Sequence, residues 1–579
     1  MSNVWSRSDD VLSLNHRSLD MRAGTPHAVL RARKEPEMTS LAITTFDSDG
    51  KGFVLVGFLM FVVVALFLTT MGGPDEESTT DFHVGSRTLT ALKNGVALSG
   101  TYLATSLLLT VTGAVALAGF DGITLAVGLL LSLGVLVLIG RPLGQSGALT
   151  LGDLFALRGP GSAPRIAGGV ATLVVTFPFL VIQLNNAGSI TAQLLGLPSI
   201  GARQVCTVML GGLVILCAML GGMKGLTLVQ VLSAVVTLVS LAAATLALTA
   251  HFHGDLDSLL VHAAEGSGQH DEYLQPGNLM GRGAESRLDM FGLQLVLVLG
   301  TACMPHVLLR MHTTPDGATA RRSVRNAALI VAAVCLMLVL LGLGAAAVVG
   351  GASISRAGGG DAALLLISHS LLGGSSSVSG NLLFTAVACA AFLTVLSVVG
   401  GTTVAAASSV SRDIYVHAIR HGKTARIGEV PAARVSVIVL GSFGIIIAAA
   451  LQGLPVAVGA QLVTGLAASS VLPALVYSLY WRGFNRTGLL WAIYGGTAVA
   501  LTLAVSAPSV SGGPEAIFTH SDFAWFPLRT PGLVSIPVGF LLGLLGSRMG
   551  RSRTTPADER RRVGAETLLL IGAEEEQKN

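Results

Sequence analysis

Charge is what this chain lacks. Only 12 % of its 579 residues are Asp, Glu, Lys or Arg, where a soluble protein carries about 25 %. A soluble chain of this length needs a charged surface, and the residues to build one are missing. Aromatics are scarce too, at 5 % with four tryptophans. No basic stripe is interleaved with aromatics, so a nucleic-acid surface is excluded. The net charge of +4 is only the difference between 36 basic and 32 acidic residues, and Lys supplies six of the former. Five cysteines (Cys206, Cys217, Cys303, Cys335 and Cys389) sit singly inside apolar runs with no CxxC pair. That excludes a disulfide framework or a zinc site and leaves small buried apolar side chains. What remains is apolar: 51 % hydrophobic residues and a mean hydropathy of +0.71. The composition is that of an all-α polytopic membrane protein.

A membrane-crossing helix needs about 20 predominantly apolar residues. Thirteen such runs are present: 52–72, 92–118, 122–140, 166–190, 205–221, 227–249, 290–310, 326–350, 381–410, 433–452, 456–480, 487–507 and 531–549. Placing the N-terminus outside and alternating from there puts 24 Lys and Arg residues on inner segments and five (Arg203, Arg282, Arg287, Arg356 and Arg529) on outer loops. Basic residues collect on the cytoplasmic side, so this split supports thirteen spans with the C-terminus inside. The organisation read here is a polar tail over 1–51, a membrane domain over 52–549 and a cytoplasmic tail over 550–579. Residues 1–37 hold six of the remaining seven basic residues, and Met38 is an alternative start of translation. Loop 250–288 is rich in His and acidic residues. It is read as solvated, with a metal site as the competing possibility.

Titratable residues within spans are functional candidates by default, and few are present. Asp121 lies at the outer turn between the second and third spans, and Asp289 opens the seventh. His306 and Arg310 lie toward that span's inner end. No carboxylate pair, Ser/His/Asp order or nucleotide loop stands out, which argues against an enzyme. The spans instead carry hydroxyls, amides and helix breakers. The second reads Ser99-Gly100-Thr101-Tyr102 and then Thr105-Ser106, and the seventh Gly300-Thr301-Ala302-Cys303-Met304-Pro305-His306. The fourth holds Pro178, Gln183, Asn185 and Asn186, the ninth Thr394, Ser397, Gly400, Gly401, Thr402 and Thr403, and the eleventh Ser469, Ser470 and Pro473. Any one of these fits close helix packing. Together they put interruptions in the first helices of two five-span sets, 2–6 and 7–11. Matching interruptions in two halves point to a secondary transporter with inverted repeats.

Five stretches carry a resemblance. They are Asp81-Phe82 to Lys93-Asn94-Gly95; Ala118-Gly119-Phe120-Asp121-Gly122 with Thr150-Leu151-Gly152-Asp153-Leu154; Gly221-Gly222-Met223-Lys224-Gly225 with Gln230; Gly300 to Arg310 with Ala320-Arg321-Arg322-Ser323-Val324; and Ser408-Ser409-Val410-Ser411-Arg412-Asp413-Ile414-Tyr415. In this order they resemble the sodium:solute symporter family, and within it the acetate and monocarboxylate permeases. The resemblance covers about 75–485. It implies a LeuT-type 5+5 core over about 90–481, in a bacterial plasma membrane. It also implies one sodium ion held by the carbonyls of Ser99 and Tyr102 and by Thr394, Ser397 and Val398. No other cofactor is implied.

Oxygen ligands suit a hard cation. Proton coupling would need a titrating group, for which His306, Asp121 and Asp289 are available; His306 reads as a structural partner near an inner gate. No Lys or Arg stands at mid-membrane to meet an anion. A small carboxylate can bind the positive end of a half-helix, assisted by Thr101, Thr105 or Thr301, with Gln183 facing the same region. A sugar would need more polar groups. The expectation is therefore a sodium-coupled importer of acetate, propionate or pyruvate. The alternatives are an amino acid or other organic cargo, proton coupling, or a sensor built on the same fold, for which the final 30 residues are short.

Overall fold

The structure, a computed structural model, describes residues 48–73, 79–159, 161–197, 199–420, 428–453, 456–512, 516–518 and 521–550, with 563, 564 and 566. The expectations for the tail up to residue 47, including Met38, and for nearly all of the tail beyond 550 lie outside the described residues.

The described chain is helical, with one isolated bridge between Ser511 and Phe518. Lipid supplies no hydrogen bonds, so a spanning backbone must satisfy itself, and helices do this within one segment. In chain order the long elements are α1 (Ser48–Met71), α2 (Ala91–Tyr102), α3 (Thr105–Ala118), α4 (Phe120–Gln145), α5 (Ala163–Leu194), α6 (Ile200–His251) and α7 (Ala284–Ala302). They continue with α8 (Pro305–Leu309), α9 (Gly317–Val349), α10 (Val378–Ile419), α11 (Glu429–Ala450), α12 (Val456–Tyr480), α13 (Arg486–Val505) and α14 (Gly532–Gly550).

Among the described residues ten helical segments are long and apolar enough to cross a membrane, or eleven if the bent pair α2–α3 is one span. The thirteen apolar runs all fall on helical segments, two of them (92–118 and 290–310) on interrupted ones. The numbers differ because α6 is counted once, although it contains two runs, and because the apolar part of α1, Leu55–Met71, is short. At 1.5 Å per residue, the 52 residues of α6 would extend about 78 Å, against about 30 Å of hydrocarbon. The chain breaks it at Gly222, whose φ of 50° and ψ of −150° are not helical. A side chain there would be strained by that φ and would also meet the Phe82 ring at 3.1 Å.

α10 is the central element, with most of its length buried. It packs on α5, α6 and α11. Large apolar side chains such as Leu138, Met209, Leu246, Leu329 and Leu336 point outward on the peripheral helices, as a lipid-facing surface requires.

One end of the bundle is closed by ion pairs. Thr150 donates to Asp413 at 2.6 Å, which ties the short helix Leu151–Ala156 to α10. Asp153 accepts from Arg412 at 2.6 Å and from Arg165. Arg412 also reaches Glu429 at 2.9 Å. His83 lies 3.1 Å from Glu429 and 2.7 Å from Ser408. Two stretches far apart in sequence, Thr150–Leu154 and Ser408–Tyr415, thus meet in one network. Burial favours the protonated form of Asp153. Arg412 and Arg165 outweigh that and hold its carboxyl below the usual range.

Because the folded value lies below the unfolded one, this stabilisation is full above the ordinary carboxylate range and is lost as pH falls through the lowered value. Asp153→Asn should therefore cost roughly 2–3 kcal/mol, somewhat under full burial because water reaches both arginines. Thermal unfolding in detergent should give a lower midpoint at pH 7 and a weaker acid-side decline than in the parent protein. Equal midpoints at pH 7 would show that the pairs contribute nothing.

Candidate functional site

Two interrupted helices build the site. α2 ends at Tyr102, Leu103 and Ala104 leave the helical region, and α3 starts at Thr105, with the two halves bent by 59°. Gly100 weakens the last turn of α2, and it permits close packing, since a Cβ there would stand 2.2 Å from the Gln230 carbonyl oxygen. The second interruption separates α7 from α8. Met304 is extended, and Pro305 occupies the first turn of α8, where its missing N–H costs no hydrogen bond.

Both breaks open onto the same cavity of about 680 Å³. Thr101, Tyr102 and Ala104 line it from the first break, and Thr301, Met304 and His306 from the second. Phe179 of α5 completes the floor, its ring 5.4 Å from that of His306 and nearly parallel to it. Above the breaks the wall is mainly apolar, with Thr110, Gln461 and Thr464 as polar exceptions. The cavity extends to Leu279, Met280, Pro508, Ser509 and Arg529. It therefore communicates with the end of the bundle opposite the ion-pair network.

The expected cation ligands gather beside the first break. Ser397 donates to the Gly100 carbonyl at 2.8 Å and its own carbonyl accepts from Gln230 at 3.3 Å. The carbonyl that meets Ser397 is thus the one between Ser99 and Tyr102. Ser99 O accepts the Leu103 amide and Tyr102 O accepts that of Ala104; each retains a second lone pair. The Thr394 hydroxyl donates to Ala391 O at 2.7 Å and also meets Thr105. Val398 is fully buried and offers no hydroxyl. The Tyr102 hydroxyl pairs with Ser132.

The expected substrate contacts divide. Thr101 and Thr301 line the cavity, and the Thr301 hydroxyl oxygen has no partner among the described residues. Thr105 does not line it, because its hydroxyl is engaged with Ala391 O at 2.6 Å. Gln183 is buried one turn beyond Phe179 on α5, outside the lining. Of the expected gate or coupling groups, His306 lies in the floor, with Nδ1 unpartnered among the described residues.

Asp121 does not line the cavity. Its carboxylate accepts the amides of Gly277 at 3.1 and 3.2 Å and of Leu279 at 2.8 Å. It anchors the loop at the cavity mouth to the start of α4. Among the described residues no three His, Cys, Asp or Glu side chains could hold a metal ion, and the five cysteines are free.

Phe179, Thr110, Gln461, Thr464 and Arg529 were not anticipated at the site. Gln461 and Thr464 carried a signal, as a polar pair three residues apart in an otherwise apolar run. Phe179 carried none, since an aromatic in a membrane helix is ordinary.

A model of the sodium:solute symporter family matches residues 82–496. A monocarboxylic acid transporter of Corynebacterium glutamicum is 35 % identical over 518 residues, which cover 87 % of this chain and 93 % of the relative. The uncharacterized symporter YwcA of Bacillus subtilis is 32 % identical over 511 residues, 86 % of this chain and 95 % of that one. A solved Na+-coupled sialic acid symporter, in its substrate-bound outward-open state, superposes with a TM-score of 0.66 at 13 % identity. The match covers 86 % of this chain and 97 % of the other, and it supports the fold alone.

Anchoring by Asp121 predicts a purely structural phenotype. Asp121→Ala should lower thermal stability by roughly 1 kcal/mol, the low end of the cost of leaving amides unpaired, because those of Gly277 and Leu279 are only partly buried. The half-saturating sodium concentration for uptake should stay unchanged. A shift in it would return Asp121 to the coupling machinery.

Proposed function

The chain belongs to the sodium:solute symporter family, and from that premise we propose that it imports a short monocarboxylate, such as acetate, propionate or pyruvate, together with sodium. It is a multi-pass membrane symporter with a LeuT-type core and not an enzyme. The proposal extends to thirteen crossings of a bacterial plasma membrane, with the N-terminus outside and the C-terminus in the cytoplasm.

The observation that carries the reading is the meeting of both helix breaks at one cavity with few polar groups. A break at bilayer depth frees backbone carbonyls for a cation and exposes the positive end of a half-helix to an anion. α3 presents such an end at Thr105, next to Ala104 in the cavity wall. A carboxylate with one or two apolar carbons matches a wall of Thr101 and Thr301 among Tyr102, Met304, Phe179 and Val307. A sugar would leave most of its hydroxyls unpaired there, a cost of about 1–3 kcal/mol each.

The cation site proposed is the oxygen cluster of Ser99, Gly100 and Tyr102 carbonyls with Ser397 and Thr394. Sodium would replace the Ser397 bond to Gly100 O and bridge α2 and α10 in its place. The cavity then reads as binding pocket and entry vestibule in one, open to the outside. The ion-pair network closes the cytoplasmic end, and transport alternates which end is open. A proton-driven cycle has one observation in its favour, the His306 imidazole in the cavity floor.

Labelled acetate uptake into proteoliposomes decides between them. A sodium gradient should drive uptake, propionate and pyruvate should compete, and proline should not. Uptake driven by a proton gradient alone would move coupling to His306. No uptake under any gradient by folded protein would discard the monocarboxylate. Ser397→Ala should raise the half-saturating sodium concentration about tenfold, or about 1.4 kcal/mol for one charged-group contact. Val398→Ser, which adds a hydroxyl one residue on, should lower it.

A further inference from the structure

Among the described residues that line the cavity, Arg529 alone carries a formal charge. It stands at the mouth, on the loop between α13 and α14. This loop is outside the ten-span core and beyond residue 496, where the family match ends. The surroundings make the charge sign informative. The neighbouring loop 252–283 holds five carboxylates against one arginine. An anion approaching this end meets a mostly acidic rim, and the cavity wall presents a cation, whose charge the nearby Asp289 carboxylate offsets only in part because the arginine is exposed and the carboxylate buried.

The loop is held in place rather than draped. The Ser509 hydroxyl donates to the Arg529 carbonyl at 3.0 Å. The amide of the next residue, Thr530, donates to the Asp289 carboxylate at 3.1 Å, and the Thr530 hydroxyl donates to the Asp289 carbonyl at 3.2 Å. Asp289 belongs to α7, whose far end supplies Thr301 to the cavity. The side chain of Arg529 is exposed, so water can carry an ion to it. The cavity wall is largely apolar, and low-dielectric walls concentrate the field of a charge at their opening. Gln461 shares the same stretch of wall, and its side-chain amide can complete the hydrogen bonding of an anion held there. A guanidinium suits a carboxylate because its fork of N–H donors matches both oxygens.

We propose that Arg529, with Gln461, forms an outer station that captures the carboxylate of the cargo before it reaches the helix breaks. The inference rests on the reading of the cargo as a carboxylate. The station raises the local concentration of anions and sets an order: the carboxylate is met first at the mouth and then handed to the end of α3. Because the loop is tied to Asp289, the station moves with α7 when the cavity closes.

Two experiments test it. In the first, purified full-length protein is treated with phenylglyoxal and modification of individual arginines is read by mass spectrometry. Acetate should slow modification of Arg529 more than chloride does at equal ionic strength. Arg282, in an exposed pair with Glu272, should be slowed equally by both salts. Equal slowing of Arg529 by the two salts would reduce the effect to screening and overturn the station. In the second, R529C is reconstituted in proteoliposomes. The KM for acetate should rise roughly three- to tenfold with little change in kcat, as expected for loss of a charge that steers approach. A cationic methanethiosulfonate reagent should restore the low KM and an anionic one should not, whereas a merely structural role would respond to neither sign. Unchanged KM in R529C would also overturn the proposal. If the parent protein takes up no acetate, the reading of the cargo falls, and the labelling comparison still decides whether the mouth binds carboxylates.

Discussion

A backbone interrupted at bilayer depth has to find its hydrogen bonds inside the protein, because lipid offers none. Everything else in this chain is arranged around two such interruptions. At the first, the Gly100 carbonyl is met by Ser397 and the Ser99 and Tyr102 carbonyls by amides of the turn itself. At the second, Met304 O takes the amides of Val307 and Leu308, and Pro305 removes a donor that would have had none. The central helix α10 is buried along most of its length because it is the partner these breaks require. The close approach of Gly100 to the Gln230 carbonyl draws α6 into the same contact.

The two ends of the bundle are built on different physics. At one end, Asp153, Arg165, Arg412, Glu429 and His83 join five separate segments through short polar contacts. Such a network holds that end shut, yet each pair is partly exposed and so worth only a modest amount. At the other end the cavity mouth is held by backbone contacts to single carboxylates, Asp121 for loop 277–279 and Asp289 for the loop at 530. A transporter needs both ends to open in turn. Ties of a few kcal/mol can be made and broken within one cycle, where a large apolar seam could not.

Much of the fold was legible in the one-dimensional pattern. The scarcity of charge required a membrane, and the apolar runs marked the helices because each must cover about 30 Å of hydrocarbon. Gly-Thr and Thr-Ala-Cys-Met-Pro interruptions located both breaks to within a few residues, since weak helix formers and a proline act locally. Local physics also explains why α6 read as two runs, with the glycines at 221–222 between them.

What the pattern could not supply was which side chains turn toward one another. Asp121 looked like a coupling group because a carboxylate near a membrane span is unusual, but its partners are amides some 156 residues away, and only the folded loop brings them. Gln183 and Thr105 carry the right chemistry and do not line the cavity. Phe179, Gln461 and Arg529 carry chemistry that is unremarkable in isolation and come to line the cavity through position. The sequence alone determined a polytopic helical bundle with two breaks, because hydropathy and helix breaking depend on neighbours along the chain. Only the tertiary structure decided that both breaks share one cavity and that, among the described residues, Arg529 stands at its mouth, because those facts depend on helix rotation and packing across hundreds of residues.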